Sequence, residues 1–508
     1  MITLHIKNLK HIQFMEEIFL KTILNTKELS FILLLIILLT PMFHLPFSVS
    51  VQAAQPFKTE DIDKFVTNYI ERNGLPGASI VVVKDGKLVY EKGYGHDSEG
   101  KPITEKSLMR IGSASKSFTA FAVLQLVDEG KIQLDAPVMN YLPEVKLDDS
   151  RWKDVTIRQL LSHTSGIPNP TIVPPANNLK AGVERLNDWK LQSNPGEKYY
   201  YSNGNYWVLA LLVEGVSGIE FSRYLKQKVF SPLGMNDSLT TVNSGDFVPG
   251  LPKGYVTAYG SAIPWTELEA MNMGAGSIIS TASDMGKWLS MQTNAGKTRT
   301  GDQLISNKLL EESYSPQLEN KKYGLGWELS SPNVKPARIS HSGVVSTYQT
   351  QQDIIPSSGY AVAVLLNSFT PTFEHAYEIS SSIIQLTEGK EPEIRAPLSI
   401  IIDFSLGVIT LIYLILGIRG FLRSKKWSDK RKQHPTWRFI LRLTPQLIPT
   451  LLIGWLFFIV PALQNNSSTT LDAFGLFPAA MFLLAIVFII GMVLTILRIF
   501  YRIALNKG

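Results

Sequence analysis

Ser113-Ala114-Ser115-Lys116 sets a hydroxyl and an amine three positions apart at the head of an apolar run that continues to Val127. On a helix that spacing puts both side chains on one face, a turn apart. A serine is a poor nucleophile until a base takes its proton. A lysine among Phe118, Phe121, Ala122 and Leu124 loses hydration, which favours the neutral amine such a base requires. The same residues also fit a helix cap followed by a surface lysine, and taken alone they are compatible with either. Ser98-Glu99-Gly100-Lys101 repeats the pattern, but inside a turn marked by Gly95, Gly100 and Pro102, where no helix aligns the pair.

Two later clusters bear on that choice. Tyr201-Ser202-Asn203 follows the turn Pro195-Gly196-Glu197. On an extended or looped backbone, a phenol and an amide two residues apart can face one cleft. The phenol could relay a proton and the amide could hold a carbonyl or a lysine amine. By itself a tyrosine-dense stretch beside a turn reads first as packing. His341-Ser342-Gly343 opens the last β-rich region. Gly343 would let a substrate backbone lie against the strand without a Cβ in the way. His341 would give the cleft a donor or a positive edge, although a lone histidine reads first as a surface or core residue. No HExxH motif or other close histidine pair occurs, so neither a metal nor a cofactor is expected.

Ser-x-x-Lys, Tyr-x-Asn and a His-x-Gly triplet, in that order, resemble the motif set of serine β-lactamases and penicillin-binding proteins. The middle Tyr-Ser-Asn is similar to the branch holding class C β-lactamases, D-Ala-D-Ala carboxypeptidases, D-aminopeptidases and related esterases. Segments 156–167, 274–285 and 323–327 resemble that branch too, so the likeness runs from about Phe57 to Leu386. It implies acyl transfer through a Ser113 acyl-enzyme, with Lys116 and Tyr201 sharing the proton traffic. Asn203 would hold the substrate amide or Lys116. The N–H groups of Ser113 and Val344 would form the oxyanion hole, and His341, Ser342 and Gly343 would line the substrate site. Where typical β-lactamases carry lysine this chain has His341, which turns a fixed cation into a pH-dependent one and points away from a dedicated penicillinase.

The elements that must position these residues read as α/β (α+β). Asp61–Arg72 is an amphipathic helix. Ala78–Val83 and Leu88–Tyr94 form a hairpin about Lys84-Asp85-Gly86-Lys87. A helix from Ser113 to Gly130 follows, then a long middle stretch with short helical patterns and no clear strand series. Strands return at Ser346–Ile355 and Tyr360–Asn367, before a last helix at about Phe373–Leu386. Early and late strands with helices between them predict one antiparallel sheet flanked by helices, plus an all-helical subdomain.

Charge and hydropathy divide the chain further. The net +6 is uneven. Twelve Lys/Arg against three Asp give +9 from Pro397 onward, which leaves the segment 55–396 at −4. A nucleic-acid partner is therefore not expected. Cysteine is absent, which removes disulfides and thiolate metal sites. Residues 1–54 carry Lys27, an apolar run from Phe31 to Leu39 and small residues at Ala53-Ala54, read as a signal peptide or N-terminal anchor. Residues 55–396 form the exported domain and 397–508 a membrane module. Apolar stretches at Leu398–Ile418, Leu447–Leu463 and Leu476–Leu497 predict three transmembrane helices. Basic residues between Arg419 and Arg442 and after Arg498 place that loop and the C-terminus in the cytoplasm and the catalytic domain outside a cell membrane. Asp403 lies near the outer edge of the first span and reads as part of an anchor, not of an ion path. The expected substrates are D-amino-acid amides or esters of the cell envelope, such as peptidoglycan stem peptides or D-alanylated teichoic acid. The alternatives are an esterase or weak β-lactamase of the same fold, or a sensor of β-lactams or wall fragments that signals through its spans to an unknown membrane partner.

Overall fold

The computed structural model describes residues 58–169, 174–318, 323–331, 333–392, 395–460 and 470–507. The chain divides into two compact units, Met1–Ala54 and Gln55–Gly508, and every described residue lies in the second. The expected signal segment, residues 1–54, thus lies outside the described residues.

Helix α1 (Thr59–Asn73) buries Ile62, Val66, Tyr69 and Ile70 along one side. Strands β1 (Gly77–Lys84) and β2 (Lys87–Gly95) follow as the predicted hairpin. Asp85 and Gly86 both take positive φ, 48° and 74°, in the turn type whose twist matches paired strands. Strand β3 (Met109–Arg110) leads to α2 (Ser115–Asp128), which is buried without a break from Ser115 to Leu126. A helix apolar on every side belongs in the middle of a domain. It packs against α5 (Asn203–Ser217), on which α3 (Ile157–Leu161) and α4 (Leu179–Glu184) rest in turn.

Strands β4 (Leu239–Thr240), β5 (Gly254–Ala258), β6 (Ser261–Trp265) and β7 (Ile278–Ser280) precede α6 (Ala282–Gln292). Then come β8 (Glu328–Leu329), β9 (Ile339–Val344), β10 (Gln349–Ile355), β11 (Tyr360–Leu366), β12 (Ser368–Phe369) and α7 (His375–Thr387). The main sheet has the order β2-β1-β11-β10-β9-β8, with every neighbouring pair antiparallel. Early and late strands therefore meet in one sheet, as the sequence predicted. Each central strand is buried on both faces. Ile80, Val82, Val362 and Val364 pack towards α1 and α7, while Val81, Val83, Ala363 and Leu365 pack towards the helical region.

From Gly112 to Leu233 every named element is helical, as expected for the helical subdomain. Outside that stretch lie two small sheets the sequence did not announce, β3-β7-β4 and β12-β5-β6. Their strands have two to five residues, too few for an alternating pattern to stand out, and β6 is mostly exposed and contains Pro264.

After Pro397 the chain forms α8 (Leu398–Leu422), α9 (Ser424–Asp429), α10 (Thr436–Leu441), α11 (Thr444–Gly454), α12 (Thr470–Leu476) and α13 (Pro478–Lys507). Two of these helices, α8 and α13, are long and apolar enough to cross a membrane, against the three predicted. The middle stretch is a shorter apolar helix, Thr444–Ile459, with Pro449 inside it and a π turn at Trp455–Ile459. Proline removes one helical N–H and crowds the preceding turn, which disrupts a long regular helix. Helix α8 is docked on the rest of the unit. Asp403 accepts from the Gly260 N–H at 3.3 Å, and Ser399 Oγ lies 2.9 Å from His375 Nε2. Asp403 is buried in that junction, a structural use for an acid in an apolar helix.

Candidate active site

Ser113 lies in a 3₁₀ turn, Gly112–Ala114, that runs directly into α2. Its hydroxyl caps neither helix. Instead its Oγ stands 3.0 Å from Lys116 Nζ and 2.8 Å from Tyr201 Oη. The cap alternative is thereby excluded. Lys116 is fully buried, and Nζ donates to Asn203 Oδ1 at 2.8 Å and to the Ala275 carbonyl at 2.7 Å. A neutral amine has two N–H groups and one lone pair. Two pure acceptors take the two N–H groups, so the lone pair is left facing the Ser113 hydroxyl. Burial also holds the Lys116 ammonium well below its usual pKa, with the charge of Glu328 opposing. Tyr201 Oη donates to Ser113 Oγ. Burial pushes its phenol up, against the opposing effect of the Ser113 bond, so it remains a proton carrier and not a phenolate.

Tyr201 and Asn203 reach one cleft because the backbone between them is extended. Ser202, at φ −146° and ψ 128°, is the N-cap of α5, and its hydroxyl turns away to the Pro168 carbonyl at 2.8 Å. The segment is held from beneath by His163, which the sequence reading passed over. The His163 carbonyl accepts from Tyr200 N at 2.7 Å, and its Nδ1 accepts from Ser202 N at 3.1 Å. Both peptide neighbours of Tyr201 are thus pinned to one residue. Asn205 Oδ1 accepts from Ser165, so Asn205 Nδ2 donates to His163 Nδ1, which fixes the tautomer with hydrogen on Nε2. The ring lies against that of Tyr201, with centroids 4.4 Å apart. Burial, then the nearby Lys116, keeps His163 well below its usual pKa.

Strand β9 carries the third cluster, and its side chains divide by face. His341 is buried, not open to the cleft. Its Nδ1 lies 2.8 Å from the Ser342 carbonyl, which can only accept, so Nε2 accepts from Tyr323 Oη at 2.9 Å. Both ring nitrogens are satisfied in the neutral form. Burial and Lys116 push the pKa down to about 3, so the expected charge switch near neutral pH is not there. Ser342 faces the opposite side and donates to Gln351 Oε1 at 2.7 Å, away from the Ser113 cluster. Gly343 is small for a different reason from the one expected. A Cβ there would fall 1.8 Å from the Ile111 carbonyl oxygen, so the chain's own nucleophile turn occupies the space assigned to substrate. Gly112, at φ 50°, completes the fit, since a Cβ on it would lie 2.6 Å from Val344 N. The turn bearing Ser113 therefore rests on the end of β9, beside the Val344 amide.

Beyond Val344, the turn into β10 is clamped by Glu267. This half-buried residue's carboxylate accepts from the N–H and hydroxyl of both Ser346 and Thr347, at 2.6 to 3.0 Å. No local pattern marks Glu267, because its partners lie some eighty residues away in sequence. His163 and Tyr323 do fall in segments already singled out, and their signal was a histidine and a tyrosine beside glycine-bearing turns. Among the described residues no group of three or more His, Asp or Glu is placed to hold a metal ion.

Residues 62–382 match the family described as Beta-lactamase. "Protein flp" of Staphylococcus aureus strain N315 is 28% identical over 320 residues, which cover 61% of this chain. The match spans 63% of that relative's length. A "Beta-lactamase" of Yersinia enterocolitica is 27% identical over 281 residues, 55% of this chain and 71% of its own. Among solved structures, an octameric penicillin-binding protein homologue from Pyrococcus abyssi superposes with a TM-score of 0.57 at 27% identity, covering 70% of this chain and 81% of its own. A penicillin-binding protein from Bacillus halodurans, at 24% identity and a TM-score of 0.54, shares the fold over 63% of this chain and 98% of its own.

Proposed function

The chain belongs to the beta-lactamase family, and on that premise we propose a membrane-anchored serine hydrolase that cleaves D-amino-acid amides or esters of the cell envelope through an acyl-enzyme on Ser113. The observation that carries the reading is the triangle of Ser113 Oγ, Lys116 Nζ and Tyr201 Oη, with an amine lone pair left for the serine proton. Ser113 Oγ attacks the carbonyl carbon as its proton passes to Lys116. The N–H groups of Ser113 and Val344 receive the oxyanion. Tyr201 protonates the leaving nitrogen or oxygen as its bond to carbon breaks, and regains a proton from Lys116. Water then attacks the ester, Lys116 and Tyr201 take its proton back to Ser113, and the free acid departs. Neutral His341, buried against Tyr323, offers no fixed cation for a substrate carboxylate, which supports a substrate range other than that of a dedicated penicillinase.

The last third of the chain supports the anchoring. Helix α8 begins against Gly260, and α13 begins where Tyr259 Oη donates to the Ala479 carbonyl at 3.3 Å. Both spans thus leave the hydrolase domain on the same side, and the chain between them must return. Helix α11 lies along that return, since Gln446 bonds Thr495 and Gly454 lies against Phe488. With the π turn that follows it, this helix runs sixteen residues, Thr444–Ile459, and rises about 24 Å, somewhat less than the thickness of bilayer hydrocarbon.

The test uses the full-length protein in membranes with a fluorescent fluorophosphonate and with D-alanyl esters and D-Ala-D-Ala peptides. Wild type should label and turn over at least one of these substrates, while Ser113→Ala should do neither. Labelling that persists in Ser113→Ala removes the nucleophile assignment, and a labelled enzyme that leaves every substrate intact removes the substrate class.

A further inference from the structure

Trp427 lies between two cations. The guanidinium carbon of Arg431 is 4.3 Å from its ring centroid and that of Arg498 is 4.4 Å from the same centroid. Arg502 stacks on the neighbouring Phe439 at 4.2 Å, and Arg438 and Arg442 belong to the same basic stretch. Among the described residues none of these five arginines is ion-paired with a carboxylate. The nearest acid in sequence, Asp429, is held by Lys432 at 3.2 Å. Arg431 and Arg498 spend some donors on the Trp427 carbonyl and on Gln446 Oε1, yet the Nε of each is buried with no partner. Stacking on an aromatic face offsets only part of the repulsion between like charges held this close. An anion is what the arrangement lacks.

Depth and surroundings say which anion. Arg419 follows Leu398 by 21 residues and Arg498 follows Pro478 by 20, so each helix rises about 30 Å before its first arginine, close to the thickness of bilayer hydrocarbon. The cluster therefore stands at the level of phospholipid head groups on the side away from the hydrolase domain. Leu422, Trp437, Leu441 and Phe500, in the segments that carry these arginines, are exposed and apolar, a surface for acyl chains. Cations that stack on Trp427 next to an exposed apolar surface fit an amphiphile and not a free ion.

We propose that Arg431, Arg498 and Trp427 form a binding site for the phosphodiester head group of an anionic phospholipid. The proposal rests on the reading of α8 and α13 as spans and not on the chemistry at Ser113. Anionic lipid would neutralise the cluster and tie α9 and α10 to the end of α13, so the membrane end of the molecule would be ordered by the leaflet it sits in.

Full-length protein is reconstituted in nanodiscs of phosphatidylcholine with or without phosphatidylglycerol, and retained lipid is counted by native mass spectrometry alongside thermal unfolding. Wild type should retain phosphatidylglycerol about thirtyfold more than R431Q/R498Q, the effect of losing two charge-assisted contacts to the head group. It should also unfold at higher temperature with that lipid than without it. Lys425→Gln/Lys426→Gln makes the same change of charge on exposed residues of α9 and should retain lipid like wild type. Fluorophosphonate labelling of Ser113 in each variant reports an intact hydrolase domain, so a failure here is distinct from a failure of the catalytic reading. Equal retention by wild type and R431Q/R498Q, or an equal loss in K425Q/K426Q, would overturn the site. Stabilisation by inorganic phosphate in pure phosphatidylcholine, to the same degree as by the lipid, would overturn the lipid assignment.

Discussion

On the proposed mechanism, Lys116 is the residue through which pH reaches the chemistry. Acylation needs its neutral form, so the labelling rate should fall as pH drops through its lowered pKa and should be flat above it. Lys116→Arg keeps length and charge but cannot give up its proton, so it should lose about two to four orders of magnitude in labelling rate at every pH. A Lys116→Arg enzyme that labels like wild type would refute the base assignment. His163 is a positioning residue. His163→Ala removes the acceptor of Ser202 N and the ring beneath Tyr201, so kcat should fall roughly tenfold or more with KM little changed. A change in KM alone would point to substrate contact instead. Glu328 supplies a test of stability. Burial, then the charge of Asp353, raises its carboxyl to about 7, above its ordinary value of 4.5. The folded state then binds more protons than the unfolded state between those values, so stability should decline as pH rises through that window. Glu328→Gln should remove the decline and gain up to about 3 kcal/mol at pH 8 in urea unfolding. A pH dependence unchanged by the substitution would exclude Glu328 as its source.

At the scale of elements, the site is a contact between one turn and one strand end. Gly112 and Gly343 let the 3₁₀ turn lie on β9, and Glu267 holds the turn that follows. Gly343→Ala places a methyl group where the Ile111 carbonyl sits and cannot be absorbed by a flexible side chain. The substitution should cost about 2–4 kcal/mol in denaturant unfolding and displace Ser113 enough to suppress labelling of the folded fraction. Normal stability with poor substrate binding would restore the substrate-facing role first expected for this glycine. The hairpin β1–β2, the continuous apolar strands and the buried helix α2 were legible in sequence because each is a local pattern. Strands β4 to β7 were not, since strands this short are defined by their partners and not by their own alternation.

For the whole molecule, the consequence is orientation. Asp403, Ser399 and Tyr259 join the hydrolase domain to α8 and α13 by hydrogen bonds, so under the proposed anchoring the mouth of the site keeps a set attitude to the membrane. Because the chain has no cysteine, topology can be read with single introduced thiols. In intact cells an impermeant maleimide should label Lys64→Cys and spare Lys425→Cys, and permeabilisation should expose the second. Labelling of both in intact cells would reject the crossing of α8.

The sequence by itself determined the chemical inventory and its order: a serine a turn before a lysine, a tyrosine two before an asparagine, a glycine after a histidine, and a basic end on an apolar tail. Side-chain type and spacing along one element are local properties, and they are written in the chain. Only the tertiary structure decided that Ser113 is no cap, that the Lys116 amine has one free lone pair, that His341 is neutral, and that Gly343 makes room for the chain itself. Each of these depends on which groups share a buried space. Burial and hydrogen-bond partners, which set protonation and orientation, come from residues up to about 160 positions apart.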